Sequence, residues 1–417
     1  MQTSLVDSGF ENEKVSVLAC APSLRHELSV ADCCGLTPKL EQFLAGRPET
    51  PFLALDLEQV RKKYLELQGE FPHAAIHFAV KANPAPEIIQ LLATLGSRFD
   101  IASRYELDLC LSLGVPATWL SYGNTVKKEV DIAYAFGRGV RLFAFDSEAE
   151  LEKLSRQAPG AGVQCRVLSQ GKHADWPLSR KFGCDLAMAH DLLLNSRNLG
   201  LTPLGVTFHV GSQQTDPQQW VEPLAEAAEL YRQLRRQDLE LEWINIGGGL
   251  PATYQTTLRP FSHYAQTIQQ ALQQSFGVTP PQLMIEPGRF LVADAGVIQS
   301  EVILVAHKSR EDVRRWVYLD IGKFGGLAET MDECIKYRLR TLREGRTGPV
   351  ILAGPTCDSA DVLYEKTSYE LPLNLAIGDR IEILSAGAYT SSYASVGFNG
   401  FPPLRTYCLL GRYGRYP

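Results

Sequence analysis

Between Ala75 and Glu286 the chain alternates, eight times over, a short β-rich run with a segment of helical spacing, and few folds accept that rhythm. The runs are Ile76 to Val80, Arg98 to Ala102, Trp119 to Tyr122, Arg141 to Phe145, Val163 to Leu168, Leu204 to His209, Glu242 to Ile246 and Leu283 to Glu286. Between them, segments such as Pro86 to Leu95, Glu148 to Gln157 and Trp220 to Gln237 repeat apolar residues at helical intervals. Strands and helices in that alternation predict an α/β fold, a parallel (β/α)8 TIM barrel with its function at the carboxyl ends of the strands. A doubly wound sheet would need fewer strands.

After Glu286 the texture changes. Val297 to Ala306, Arg315 to Ile321, Val350 to Ala353 and Asp379 to Leu384 read as strands without long helices between them, which predicts a C-terminal antiparallel β-domain. The strand-like Pro51 to Leu57 and the helix Glu58 to Glu70 lead into the barrel, and the segment before them is expected to pack on the β-domain. The expected organisation is therefore 1–50, a barrel over 51–288 and a β-domain over 289–417. A chain of 417 residues exceeds what one hydrophobic core usually supports, so two domains are the natural expectation.

Composition removes several function classes. Hydrophobic residues at 45% and charged residues at 21% describe an ordinary globular protein, and a net charge of -6 argues against nucleic acid as the main partner. No apolar run approaches the roughly 18 residues of a membrane span. The stretch Met1 to Lys14 carries Asp7, Glu11 and Glu13, unlike a secretory leader, so a cytoplasmic protein is expected. Nine cysteines, an odd number with no Cys-x-x-Cys pair, suit reduced thiols better than a disulfide framework or a zinc site, and no metal is expected.

Chemistry-bearing residues gather where the strands end. Lys81 closes the run Ile76-His77-Phe78-Ala79-Val80 and precedes Ala82-Asn83-Pro84, so it stands at the end of a buried strand. A lysine so placed either runs its stem out to solvent or serves Schiff-base chemistry with a cofactor. Ile244-Asn245-Ile246 runs into Gly247-Gly248-Gly249, where bare backbone can offer N–H groups to an anion. Glu286-Pro287-Gly288-Arg289 sets a carboxylate and a guanidinium three residues apart, the second suited to phosphate and the first to a pyridine nitrogen. His209, at another strand end, could stack on a flat cofactor, with Ser212 close enough in sequence to bond a phosphate.

Seven segments occur in a telling order: Phe78 to Asn83, Phe99 to Ser103, Phe208 to Ser212, Gly247 to Gly249, Glu286 to Arg289, Gly354-Pro355-Thr356-Cys357-Asp358 and Gly387-Ala388-Tyr389-Thr390. Together they resemble the fold-type III pyridoxal-phosphate decarboxylases of basic amino acids, the family of eukaryotic-type ornithine decarboxylase, whose barrel is alanine-racemase-like. The resemblance implies pyridoxal 5'-phosphate held covalently by Lys81, His209 on its ring face and Glu286 at its ring nitrogen. It also implies Asp100, Glu106 and Arg166 around lysine and ring, and Ser212, Gly247 to Gly249, Gly288, Arg289 and Tyr389 as cofactor contacts. It implies that Cys357, which steers reprotonation, and Asp358, which binds the substrate's distal ammonium, come from a partner subunit, so that a homodimer shares its sites.

Substrate length is expected to turn on the run Tyr318 to Gly326. Eukaryotic members carry an acidic residue two positions before the one that aligns with Lys323, and here that position is Ile321. The run instead resembles bacterial ornithine and lysine/ornithine members. Asp320, Glu329 and Asp332 are candidates for a second carboxylate, Asp320 and Phe398 are expected substrate contacts, and the tail motif that begins at Gly387 and includes Phe398-Asn399-Gly400-Phe401 fits the ornithine branch. The expected activity is decarboxylation of L-ornithine to putrescine in polyamine biosynthesis. L-lysine to cadaverine is the alternative, and a non-catalytic regulator of the antizyme-inhibitor kind is a further one. A racemase is disfavoured by Glu286, because such racemases resemble each other in placing an arginine at the ring nitrogen.

Overall fold

The computed structural model describes residues 3–6, 36–169, 174–176 and 181–410. Eight parallel strands close into a barrel: Ala75–Ala79, Arg98–Ile101, Leu120–Tyr122, Leu142–Phe145, Gly162–Arg166, Thr202–Thr207, Trp243–Asn245 and Gln282–Ile285, the last pairing back onto the first. Each matches a predicted run to within about two residues. Helices such as Pro86–Thr94, Glu148–Gln157 and Val221–Arg235 cross between the strands and bury one apolar face on them.

The barrel interior departs from an all-apolar filling. Ala79 faces the pocket at the barrel mouth, so the alternation of a strand puts His77 on the same inner face and Phe78 outside, under the helices. There Phe78 meets Phe99 edge-on with ring centres 6.4 Å apart. Inside, buried Gln164 Nε2 donates to Ser121 Oγ, and Asn245 Nδ2 donates to Gln164 Oε1 at 3.2 Å. A polar thread thus runs through the interior toward the strand ends.

The second layer is a sheet in which antiparallel pairs are joined by parallel ones. Gly296–Ala306 pairs antiparallel with Phe52–Asp56, Arg315–Leu319 and Arg380–Leu384, whereas Arg315–Leu319 pairs parallel with Thr347–Ala353. Phe52–Asp56, expected as the approach to the barrel, is buried throughout and is a strand of this sheet. Its five residues lie between two neighbouring strands, and that pairing takes it out of the barrel layer. Of the N-terminal segment, Thr3–Val6 pairs with Arg405–Leu409, and the helix Pro38–Ala45 packs Leu40 and Leu44 against Phe52, Val297 and Leu409. Most of the expectation for 1–50 lies outside the described residues.

The two layers are stitched together at the barrel mouth. Asn83 Nδ2 donates to the Gly387 carbonyl at 2.7 Å, Tyr389 N–H to the Ala82 carbonyl at 2.8 Å and Ser392 Oγ to the Lys81 carbonyl at 2.9 Å. A side chain at Gly387 would collide with the Val292 carbonyl 1.9 Å away, so glycine is required for the layers to come this close. The contact brings Tyr389 of the β-domain over the strand ends.

Candidate active site

Lys81 lies in a single 3-10 turn, Val80–Ala82, that follows the first barrel strand and is fixed by the contacts just described. Its side chain is exposed, but to the pocket, whose walls are Ala79, Asp100, His209, Ser212, Gly248, Gly249, Glu286, Gly288, Arg289 and Tyr389. Recession into the mouth works against the ammonium, while Asp100 first, then Tyr389 and Glu286, outweigh it against Arg166 and hold the Lys81 pKa above its ordinary value. Lys81 is therefore poised as a cation among acidic groups.

One side of the pocket is built for an anion. Gly247 adopts φ +66°, and a Cβ there would meet the Phe208 carbonyl at 2.3 Å. A Cβ at Gly248 would lie 2.6 Å from the Glu286 carbonyl and 3.2 Å from His209 Nε2, so the space over this backbone is closed to any side chain. Arg289 reaches the same place from the short helix Arg289–Val292, donating to Ser212 Oγ at 3.1 Å and to Tyr254 Oη at 2.7 Å, with the Tyr389 ring 4.9 Å from its guanidinium carbon. Both oxygens of buried Glu329 accept from the same guanidinium at 2.6 and 2.8 Å. This answers one question about Glu329: its carboxylate is committed to Arg289.

The other side of the pocket gathers an imidazole and two carboxylates. Gly211 N–H donates to His209 Nδ1 at 3.0 Å and fixes the imidazole. Burial, then the charges of Arg166 and Lys81, hold its pKa well below the usual histidine range, so the ring is neutral and its proton sits on Nε2. Glu286 Oε1 accepts from Asn245 Nδ2 at 2.6 Å. Asp100 is buried with Oδ1 unpartnered, and a Cβ at Gly123 would fall 2.1 Å from that oxygen, so the glycine makes room for it. Burial and then Glu286 raise the Asp100 pKa well above the usual carboxylate range. Arg166 ends its barrel strand with its guanidinium carbon 5.0 Å from the Phe182 ring centre and acts on Lys81, Asp100 and His209 by charge. Glu106 is a helix cap: Ser103 Oγ accepts from Glu106 N–H, and Glu106 Oε2 accepts from Ala102 N–H at 2.7 Å.

Cys357, Asp358, Asp320 and Phe398 lie away from this pocket, whereas Arg166 and Gly247 neighbour its walls without forming them. Cys357 and Asp358 are exposed on the loop after Thr347–Ala353, where Cys357 N–H donates to Asn399 Oδ1 at 2.8 Å. Asp320 and Phe398 line a separate cleft of about 480 Å³ with Phe324, Thr356 and Phe401. Asp320 Oδ1 accepts from Ser300 Oγ and Glu301 N–H at 2.6 and 2.9 Å, so that oxygen serves the sheet. The sequence does not single out Asn245, Tyr254 or Gly123. Asn245 had a visible cue, since it stands two residues before the glycine triplet, but no local pattern links Tyr254 or Gly123 to the site.

The pocket fits pyridoxal phosphate on the residues present: a glycine backbone beside a guanidinium and hydroxyls for the phosphate, a fixed neutral imidazole for the ring face, and carboxylates for ring nitrogen and lysine. Residues 57–293 match the family described as pyridoxal-dependent decarboxylase, pyridoxal binding domain. This chain belongs to that family. It is 34% identical to the lysine/ornithine decarboxylase of Selenomonas ruminantium over 88% of this chain and 91% of that protein. The structure of SrLDC in complex with PLP and cadaverine superposes with a TM-score of 0.81 at 32% identity, over 90% of this chain and 94% of that one. The lysine/ornithine decarboxylase of Vibrio vulnificus, complexed with cadaverine, gives 0.81 at 30%, over 90% and 99%. The chain is a fold-type III decarboxylase of basic amino acids, and its cofactor is pyridoxal 5'-phosphate. Among the described residues no helix is long and apolar enough to cross a membrane.

Proposed function

We propose that the chain converts L-ornithine to putrescine and carbon dioxide, with L-lysine to cadaverine as its second reaction. The observation that carries the reading is one pocket in which Lys81, His209 and Glu286 surround the space beside an Arg289–Ser212 anion site. Bound pyridoxal phosphate supplies the electron sink for the pair left behind when the α-carboxylate departs as carbon dioxide. Lys81 would hold the cofactor covalently through its side-chain nitrogen. Glu286 keeps the ring nitrogen protonated, and His209 stacks on the ring face without adding charge. Ser212, the Gly247–Gly249 backbone, Gly288, Arg289 and Tyr389 hold the phosphate, and Asp100 with Arg166 sets the charge around Lys81.

The distal ammonium needs a carboxylate, and within one chain two candidates are committed elsewhere, Glu329 to Arg289 and one Asp320 oxygen to the sheet. Asp358 is exposed beside Cys357, on a surface where Tyr393, Val396, Phe398 and Phe401 are also exposed. We read this apolar face as the seat of a second copy, whose Cys357 and Asp358 complete the pocket: Asp358 binding the ammonium and Cys357 returning a proton to the α-carbon. In this reading residues 51–288, less the strand Phe52–Asp56 that joins the mixed sheet, form the cofactor-binding unit, and 289–417 form the unit that lends the partner loop.

Steady-state kinetics on L-ornithine, L-lysine and L-arginine, with the diamine identified, tests the reading. Ornithine is expected to exceed lysine in kcat/KM by the roughly 10- to 200-fold that one methylene can supply. If no substrate releases carbon dioxide with pyridoxal phosphate present, the proposal fails; if lysine leads, the order of substrates is reversed.

A further inference from the structure

Asn245 ends the seventh barrel strand, fully buried, and its amide can be oriented only one way. Gly247 N–H is a donor and lies 2.9 Å away, so Oδ1 must face it and Nδ2 must face the two oxygens on its other side. Those oxygens are Glu286 Oε1 at 2.6 Å and Gln164 Oε1 at 3.2 Å. The Asn245 carbonyl also accepts from Phe208 N–H at 3.1 Å, one residue before His209. A single residue therefore touches the carboxylate, the first glycine of the anion loop and the strand end that presents the imidazole.

We propose that Asn245 is a positioning residue, which holds the ring-nitrogen carboxylate and the phosphate loop in fixed register with each other. The inference rests on the assignment of Glu286 given above. A rigid cofactor held by both would bind with an affinity that depends on their separation as well as on each contact alone. With its amide spread between Glu286 Oε1 and Gly247 N–H, Asn245 sets that separation from within the barrel. Gln164, itself anchored on Ser121, removes the remaining freedom of the Asn245 amide.

The test uses holoenzyme carrying Asn245→Ala, Asn245→Asp and Glu286→Gln, with pyridoxal phosphate retention on dialysis and the pH dependence of kcat as readouts. Asn245→Ala leaves Gly247 N–H and Glu286 without their shared partner, and is expected to weaken cofactor binding roughly ten-fold or more. Asn245→Asp can keep both contacts only while a proton lies between the paired carboxylates, since like charges at that distance cannot both ionise. Its activity is expected to approach wild type at low pH and to fall at least one pH unit earlier as pH rises. A purely structural asparagine would lower thermal stability in both variants without moving cofactor affinity or the pH profile, and that result overturns the proposal. Should Asn245→Ala not fold, the pH profile of Asn245→Asp decides alone. Wild-type turnover in Glu286→Gln would instead sink the ring-nitrogen assignment on which the inference stands. Impairment of Glu286→Gln together with wild-type behaviour of the Asn245 variants sinks the inference only.

Discussion

At position 248 a methyl group has nowhere to go, since it would press on the Glu286 carbonyl and on His209 Nε2. Gly248→Ala is expected to displace one or both of these groups and weaken cofactor binding at least ten-fold, read by titration of the cofactor-free protein. His77 governs a different property. Burial, then the charge of Arg98, lowers its pKa to about 3, against the ordinary 6.5 it regains on unfolding. The unfolded chain therefore binds the extra proton, and the stability this neutral ring contributes is present above pH 6.5 and lost as pH falls toward 3. Between pH 7 and 5 the loss is roughly 2 kcal/mol from this group alone, and neutral His209 acts in the same direction. Urea unfolding across that range should show it, and His77→Leu should flatten the slope; an unchanged slope would refute the assignment. The contrast between the two positions explains what was legible. Gly248 belongs to a triplet visible in the chain, whereas the silence of His77 reflects an environment that only packing creates.

Elements communicate through the turn Ala328–Glu333, which carries a β-domain carboxylate into the barrel's anion site. Both partners of the Glu329–Arg289 pair are buried, so removing one charge strands the other at a cost of about 3–5 kcal/mol. Glu329→Ala should therefore lower stability by an amount of that order in the cofactor-free protein, and by less in the holoenzyme, where phosphate compensates Arg289. Unfolding of both forms in urea checks it, and an equal loss in both would show that Arg289 does not meet the phosphate. Glu329 is one of three carboxylates, with Asp320 and Asp332, that the sequence offers as a substrate ligand, and a carboxylate in a short turn says nothing about which cation will face it. The strand ends were predictable for the opposite reason: alternation and apolar runs are local, and the backbone obeys them locally.

The whole molecule supplies two further expectations. Removing pyridoxal phosphate should lower stability by about 2.7 kcal/mol relative to holoprotein at a hundred times Kd, seen as a lower Tm in calorimetry. If the second copy completes the pocket, Lys81→Ala and Cys357→Ala chains, each inactive alone, should regain part of the activity when mixed and allowed to exchange subunits. Mixtures as inactive as their components would rule out a shared site.

Taken alone, the sequence determined the eight-fold alternation, the barrel it builds, the order of its motifs and the placing of Lys81, His209, Glu286 and Arg289 at or just after strand ends, because period, turn chemistry and strand-end position are written over a few adjacent residues. Only the tertiary structure decided that Phe52–Asp56 joins the mixed sheet, that Glu329 serves Arg289, and that Asn245 joins Glu286 to Gly247. Those contacts bridge from two to about 350 positions along the chain, and they follow from which faces meet when two layers close, a condition no local pattern encodes.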